Sequence, residues 1–173
     1  MIHVIMGLKG SGKTKKLIAS INEAVASANG DVVCIEYGKK LTYDVNYRVR
    51  LVDSKEYGIS NPDMLKGFLS GLHAGNYDIT NVYIDNLYKT IGADREAGEE
   101  FIVWCAAFAE ANNMNITVTV SDDPALASDK VKAYLLAKHS RRCNRSAVFF
   151  HRRVFIPSGD KRTVPLSPYL RVF

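Results

Sequence analysis

A chain of 173 residues with 47% apolar content is long enough for one ordinary domain with a real core. Its longest apolar run, Phe101 to Ala109, is too short to span a bilayer, and three cysteines without a C-x-x-C pair exclude a disulfide framework or zinc ribbon. The net charge of +5 is unevenly placed: residues 1–139 hold 15 Lys/Arg against 17 Asp/Glu, and residues 140–173 hold 8 against 1, so the body is not a general polyanion binder.

In chain order, Ile2 to Met6 reads as a short buried strand. Residues 7–14 then read Gly-Leu-Lys-Gly-Ser-Gly-Lys-Thr, which is G-x-x-x-x-G-K-[ST] with nothing missing. Lys15 to Asn29 follows as a helix, with Leu17, Ile18, Ile21, Ala24, Val25 and Ala28 on one stripe. Strand, loop and helix are the context this motif requires. Gly7, Gly10 and Gly12 let the backbone curl without a Cβ clash, so its N–H groups face inward as an anion nest. The helix start adds its partial positive charge. Lys13 is a point charge for β- and γ-phosphates, and the Thr14 hydroxyl is a hard oxygen ligand for Mg²⁺. Leu8, Lys9, Ser11 and Lys15 complete the expected phosphate-binding set.

Asp31 to Glu36 is the next strand. Residues 37–47 are polar and irregular, and their tyrosines, Tyr37, Tyr43 and Tyr47, read as half-buried covers or as flanks for a base or second substrate. Val49 to Val52 is a weaker strand. Ser60-Asn61-Pro62 starts a helix that Gly75 stops, with Met64, Leu65, Phe68, Leu69 and Leu72 as its apolar stripe. Asn81 to Asp85 is a strand, Asp94 to Asn113 a helix, Asn115 to Ser121 a strand and Asp129 to His139 a last helix. Strands alternating with helices predict an α/β fold, a mainly parallel five-stranded sheet with helices on both faces, in three layers. Such sheets bind ligands at the carboxyl ends of their strands. The four histidines show no ligand spacing, and Cys34 and Cys105 read as plain core residues.

The segment from Met1 to about His139 resembles the P-loop NTPases, and in particular small clostridial-type bacterial ATP-binding proteins of unassigned role with a RecA-like, additional-strand core. The resemblance implies a three-layer P-loop NTPase fold with ATP and Mg²⁺ as ligands. It implies that Asp85, at the end of Val82-Tyr83-Ile84-Asp85, is a Walker B carboxylate sharing the metal with Thr14. Asn86 stands where many additional-strand ATPases carry a water-orienting Glu, and Asn cannot take a proton in that role. Glu36, at the end of the second strand, is the alternative base, beside the reading that it is a solvated strand-end acid. Ser121 resembles a sensor for the γ-phosphate, or serves turn chemistry before Asp122-Asp123-Pro124. Asp122 and Asp123 either touch metal-bound water or cap the next element. Lys13, Glu36 and Asp85 are thus the expected catalytic set.

From Ser140 the composition turns Arg-rich and the resemblance stops. Residues 140–173 read as a separate basic extension, with three readings open: a poorly ordered addition, an arm for nucleic acid or an anionic surface, or a hairpin turning at Pro157 to Asp160. Nucleic acid is expected only through this tail. The functional expectation is a cytoplasmic, magnesium-dependent NTPase that binds ATP and hydrolyses it weakly or under a protein partner's control. The alternatives are a small nucleoside kinase-like phosphotransferase and a non-hydrolysing ATP-sensing module.

Overall fold

The computed structural model describes residues 1–135 apart from 28 and 93. The tail readings, Cys143 and the end of the expected last helix lie outside the described residues. The elements are β1 (Ile2–Met6), α1 (Lys13–Ser27), β2 (Asp31–Glu36), β3 (Arg50–Asp53), α2 (Pro62–Gly75), β4 (Ile79–Ile84), α3 (Leu87–Ile91), α4 (Arg95–Ala111), β5 (Asn115–Val120) and α5 (Asp129–Lys132). A 3-10 turn at Pro124–Leu126 precedes α5.

All pairings in the sheet are parallel, and the strand order is β1-β5-β4-β2-β3. The fold class expected from the sequence is therefore the observed one. Parallel strands are stable when both faces are covered, which is why Val32 to Ile35 is buried without a break. One face carries Ile116, Val118 and Val120 of β5 against Leu65 and Leu69 of α2 and Phe101, Ile102 and Cys105 of α4. The other face packs Ile5, Val32 and Cys34 on Leu17, Ile21 and Val25, the 3.6-residue stripe of α1. Cys34 and Cys105 are fully buried, and burial pushes both thiols well above their usual range.

Local chemistry sets the helix ends. Asn61 Oδ1 accepts the Met64 amide at 2.8 Å with Pro62 in the first turn of α2, and Asp94 Oδ1 accepts the Ala97 amide at 3.1 Å ahead of α4. Gly98 of α4 lies against the Tyr88 ring of α3, so close that a Cβ there would collide with it. α3 itself is five residues long and too short to show a period.

Two expectations are corrected. The last helix stops at Lys132 instead of running to His139. The Val4 amide donates to the Tyr134 carbonyl at 2.8 Å, and Leu135 forms a parallel bridge with Val4. The edge of β1 offers unpaired backbone groups, and satisfying them outweighs another helical turn. Of the three tyrosines of the β2–β3 connection, Tyr37 is half-buried as expected, but Tyr43 and Tyr47 are not covers, at 98% and 93% exposure. Leu41 and Val49 take the buried positions against α1 in their place.

Candidate functional site

Because every strand is parallel, the residues just past β1, β4 and β5 and the last residue of β2 share one edge. This edge gathers Gly7, Glu36, Asp85 and Ser121. The loop after β1 is closed by backbone bonds: the Gly7 amide donates to the Val120 carbonyl at 3.2 Å, and the Ser11 amide to the Leu8 carbonyl at 3.1 Å. Gly10 (φ 84°) and Gly12 (φ 79°) adopt the left-handed conformation that the curl requires. Gly7 does not, and a Cβ there would meet Ser11 Oγ at 2.5 Å, so that hydroxyl would have to turn away.

Lys13 opens α1 and is 9% exposed. Its Nζ donates to the carbonyls of Gly7 at 2.8 Å and Leu8 at 2.9 Å. Burial holds its pKa below the usual lysine range, and the nearby Asp85 works against that shift.

Asp85 lies one residue beyond β4, and its amide donates to the Ile35 carbonyl at 2.9 Å. Its Oδ1 accepts the Thr119 hydroxyl at 2.9 Å. Thr119 Oγ1 in turn accepts the Asn86 amide at 2.7 Å. Asn86 is left-handed (φ 52°), which turns the chain out of β4 and into α3. Among the described residues, Asp85 Oδ2 has no hydrogen-bond partner.

A cavity of about 310 Å³ opens between these elements. Gly10, Gly12, Lys13 and Thr14 of the loop and α1 line it together with Asp85 and Ser121 from the ends of β4 and β5. Lys9 and Lys15 stand at the rim, with Asn86 and Thr119 beside Asp85. Gly7, Leu8 and Ser11 shape the loop but do not line the cavity, and Leu8 is 62% exposed. A larger hollow of about 660 Å³ lies elsewhere, beside Met1, His3 and Tyr134, and it borders the end of the described residues.

Glu36 is placed differently from Asp85. It is 2% exposed and does not line the cavity. Its Oε2 accepts the amides of Lys40 at 2.8 Å and Leu41 at 3.0 Å. Burial pushes its carboxyl above the usual range, the two amides pull it down, and Asp53 and Asp85 push it up. Asp122 receives a two-pronged ion pair from Arg95 at 2.7 and 2.9 Å, and Asp123 caps the 3-10 turn through the Ala125 amide. Both aspartates thus serve the framework.

Thr119 is the site residue that motif reading passes over. The signal was present: residues 115, 117, 119 and 121 are all polar, alternating with buried Ile116, Val118 and Val120. Strand alternation puts Thr119 on one face with Ser121.

The residues present suit a magnesium ion. Thr14 and Asp85 offer hard oxygens to one cavity, and the Thr119 hydroxyl holds the carboxylate.

No protein-family model matches the sequence, and no curated protein matches it. Among solved structures the chain is similar to domain III of the replication initiation protein DnaA from Thermotoga maritima, at 15% identity and a TM-score of 0.44. That likeness covers 77% of this chain and 50% of the other, so the chain spans about half the length of its neighbour. No helix among the described residues is long and apolar enough to cross a membrane.

Proposed function

We propose that residues 1–139 form a nucleotide-binding unit that takes magnesium-ATP at the sheet edge, with 140–173 as a separate basic extension. One observation carries this reading: the curled glycine loop with Lys13 and the Asp85–Thr119 pair line a single cavity of about 310 Å³. That volume is at the small end for ligand sites, which suits a phosphate chain whose base lies toward the surface. The closer likeness to clostridial-type ATP-binding proteins and a cytoplasmic setting belong to the same reading.

On binding, Lys13 exchanges the Gly7 and Leu8 carbonyls for β- and γ-phosphate oxygens. The loop amides and the start of α1 hold the remaining phosphate charge. Thr14 and Asp85 hold Mg²⁺, which supplies charge neutralisation along the phosphates when bound. Ser121, at the cavity wall, senses the terminal phosphate.

Hydrolysis is weak or waits for a partner. Asn86 has no basic oxygen to offer, and its backbone amide is already given to Thr119. Glu36 remains the carboxylate proposed to orient water, yet its Oε2 is bound by the loop at 40–41. Freeing it requires that loop to move. The same engagement favours a second reading, an ATP-sensing module without turnover.

The test is phosphate release from magnesium-ATP by the full chain, with Lys13→Ala as the blank, beside binding of a fluorescent ATP analogue. Binding that Lys13→Ala abolishes, with turnover slow and lost in Glu36→Gln, is the expected result. Equal binding by Lys13→Ala would refute the phosphate-loop reading. Binding without any turnover would select the sensing module.

A further inference from the structure

The connection between β2 and β3, residues 37–49, is not a slack loop. The Asp44 amide donates to Leu41 at 3.0 Å, and the Val49 amide to Asn46 at 3.0 Å. The Asn46 amide reaches the Asn22 side chain of α1, and Glu36 holds the amides at 40 and 41. Leu41 and Val49 are buried at 2% and 6% exposure, so the connection is anchored by its own apolar residues.

Against that anchoring, the exposure of Tyr43 and Tyr47 is the unusual feature. Burying an aromatic ring is worth several times the thermal energy, and this backbone spends its buried positions on aliphatic residues instead. Two nearly fully exposed rings stand four residues apart on a fixed scaffold. The stretch from Lys39 to Arg50 contains four cations, Lys39, Lys40, Arg48 and Arg50, and one acid, Asp44. Only Lys39 of these four meets a carboxylate among the described residues, Glu56 at 3.5 Å.

An independent feature lies at the start of the same connection. The ammonium groups of Lys55 and Lys89 both sit over the Tyr37 ring, 4.5 and 4.8 Å from its centroid. Neither pairs with a carboxylate among the described residues. The ring face attracts both charges, and the Asp53 carboxylate acts on Lys55 as well.

We propose that this connection is a binding surface for single-stranded nucleic acid. Bases stack on Tyr43 and Tyr47, and phosphates lie along Lys40, Arg48 and Arg50. Exposed rings accept any base through its π-face, while the cations follow the backbone. The local excess of cations favours a polyanion over a protein partner, for which exposed tyrosines alone would also be suited. The surface belongs to the body of the chain and does not depend on the basic residues 140–173. It also stands apart from the nucleotide reading, since none of its groups lines the phosphate cavity.

The experiment is fluorescence anisotropy of labelled oligo-dT and oligo-U, about 20 nucleotides each, with the full chain at about 50 mM salt. Tyr43→Ala/Tyr47→Ala should bind at least about tenfold more weakly with an unchanged melting temperature. Lys40→Ala/Arg48→Ala should lower the slope of log K against log salt by about 1.4. Tyr77→Ala, an exposed ring elsewhere, should bind like the parent. Preference for oligo-U would assign RNA, preference for oligo-dT would assign DNA, and equal binding of both would assign a surface indifferent to the sugar. The proposal is overturned if the parent binds neither strand, or if the tyrosine pair is removed without loss. It is equally overturned if polyglutamate of the same charge competes as well as oligo-dT.

Discussion

Two acids stand side by side at the carboxyl edge of the sheet and meet different fates. Ile35 and Ile84 are in register, so Glu36 and Asp85 leave adjacent parallel strands at the same level. Asp85 finds a hydroxyl, Thr119, on its other neighbour, and keeps an oxygen toward the cavity. Glu36 finds two amides of the chain that follows it and is folded inward. The difference is supplied by what surrounds each residue. A strand-end carboxylate becomes ready for a ligand when a rigid neighbouring strand holds it from behind. It becomes a loop anchor when its own continuation curls back over it.

This contrast can be broken from the strongest lever downward. Lys13→Ala removes the charge that acts on Asp85 within the cavity. Magnesium-ATP affinity should fall by about 100-fold, near 3 kcal/mol, as measured by titration calorimetry. Asp85→Asn should leave phosphate contact in place but reduce the magnesium-dependent part of binding by about tenfold, read by titrating magnesium at fixed ATP. Unchanged magnesium dependence would remove Asp85 from the metal site. Thr119→Val keeps the shape and deletes the hydroxyl. It should lower magnesium dependence in the same direction, by up to about tenfold, while leaving metal-free nucleotide affinity alone.

The smallest effect belongs to the other acid and concerns stability. The raised carboxyl of folded Glu36 keeps its proton to higher pH than in the unfolded chain, where the value is about 4.3. Its contribution therefore becomes less favourable as pH rises from that value through the folded one. Glu36→Gln carries no charge to bury. Its melting temperature relative to the parent should climb across that window and then level off. A difference that is flat from pH 4 upward would show that the two amides fully offset the burial.

Much of the site was legible because its signals are local. The glycine spacing at 7, 10 and 12, the caps at Asn61 and Asp94, and the apolar run ending at Asp85 each depend on neighbours in sequence. What was not legible depends on neighbours in space. Thr119 matters because β5 lies between β1 and β4, and nothing within residues 115–121 states that order. The inward turn of Glu36 depends on how residues 37–41 fold over it. Residue type alone suggests covers at Tyr43 and Tyr47, and Leu41 and Val49 take that role by packing beside α1.

The glycine at position 98 has a reach beyond its own helix. Tyr88, which it admits, belongs to the short helix that begins two residues after Asp85. A side chain at 98 would collide with that ring, which stands two residues after the Asn86 turn. A Gly98→Ala change is thus expected to disturb the turn at Asn86, which lines the cavity, although residue 98 itself does not.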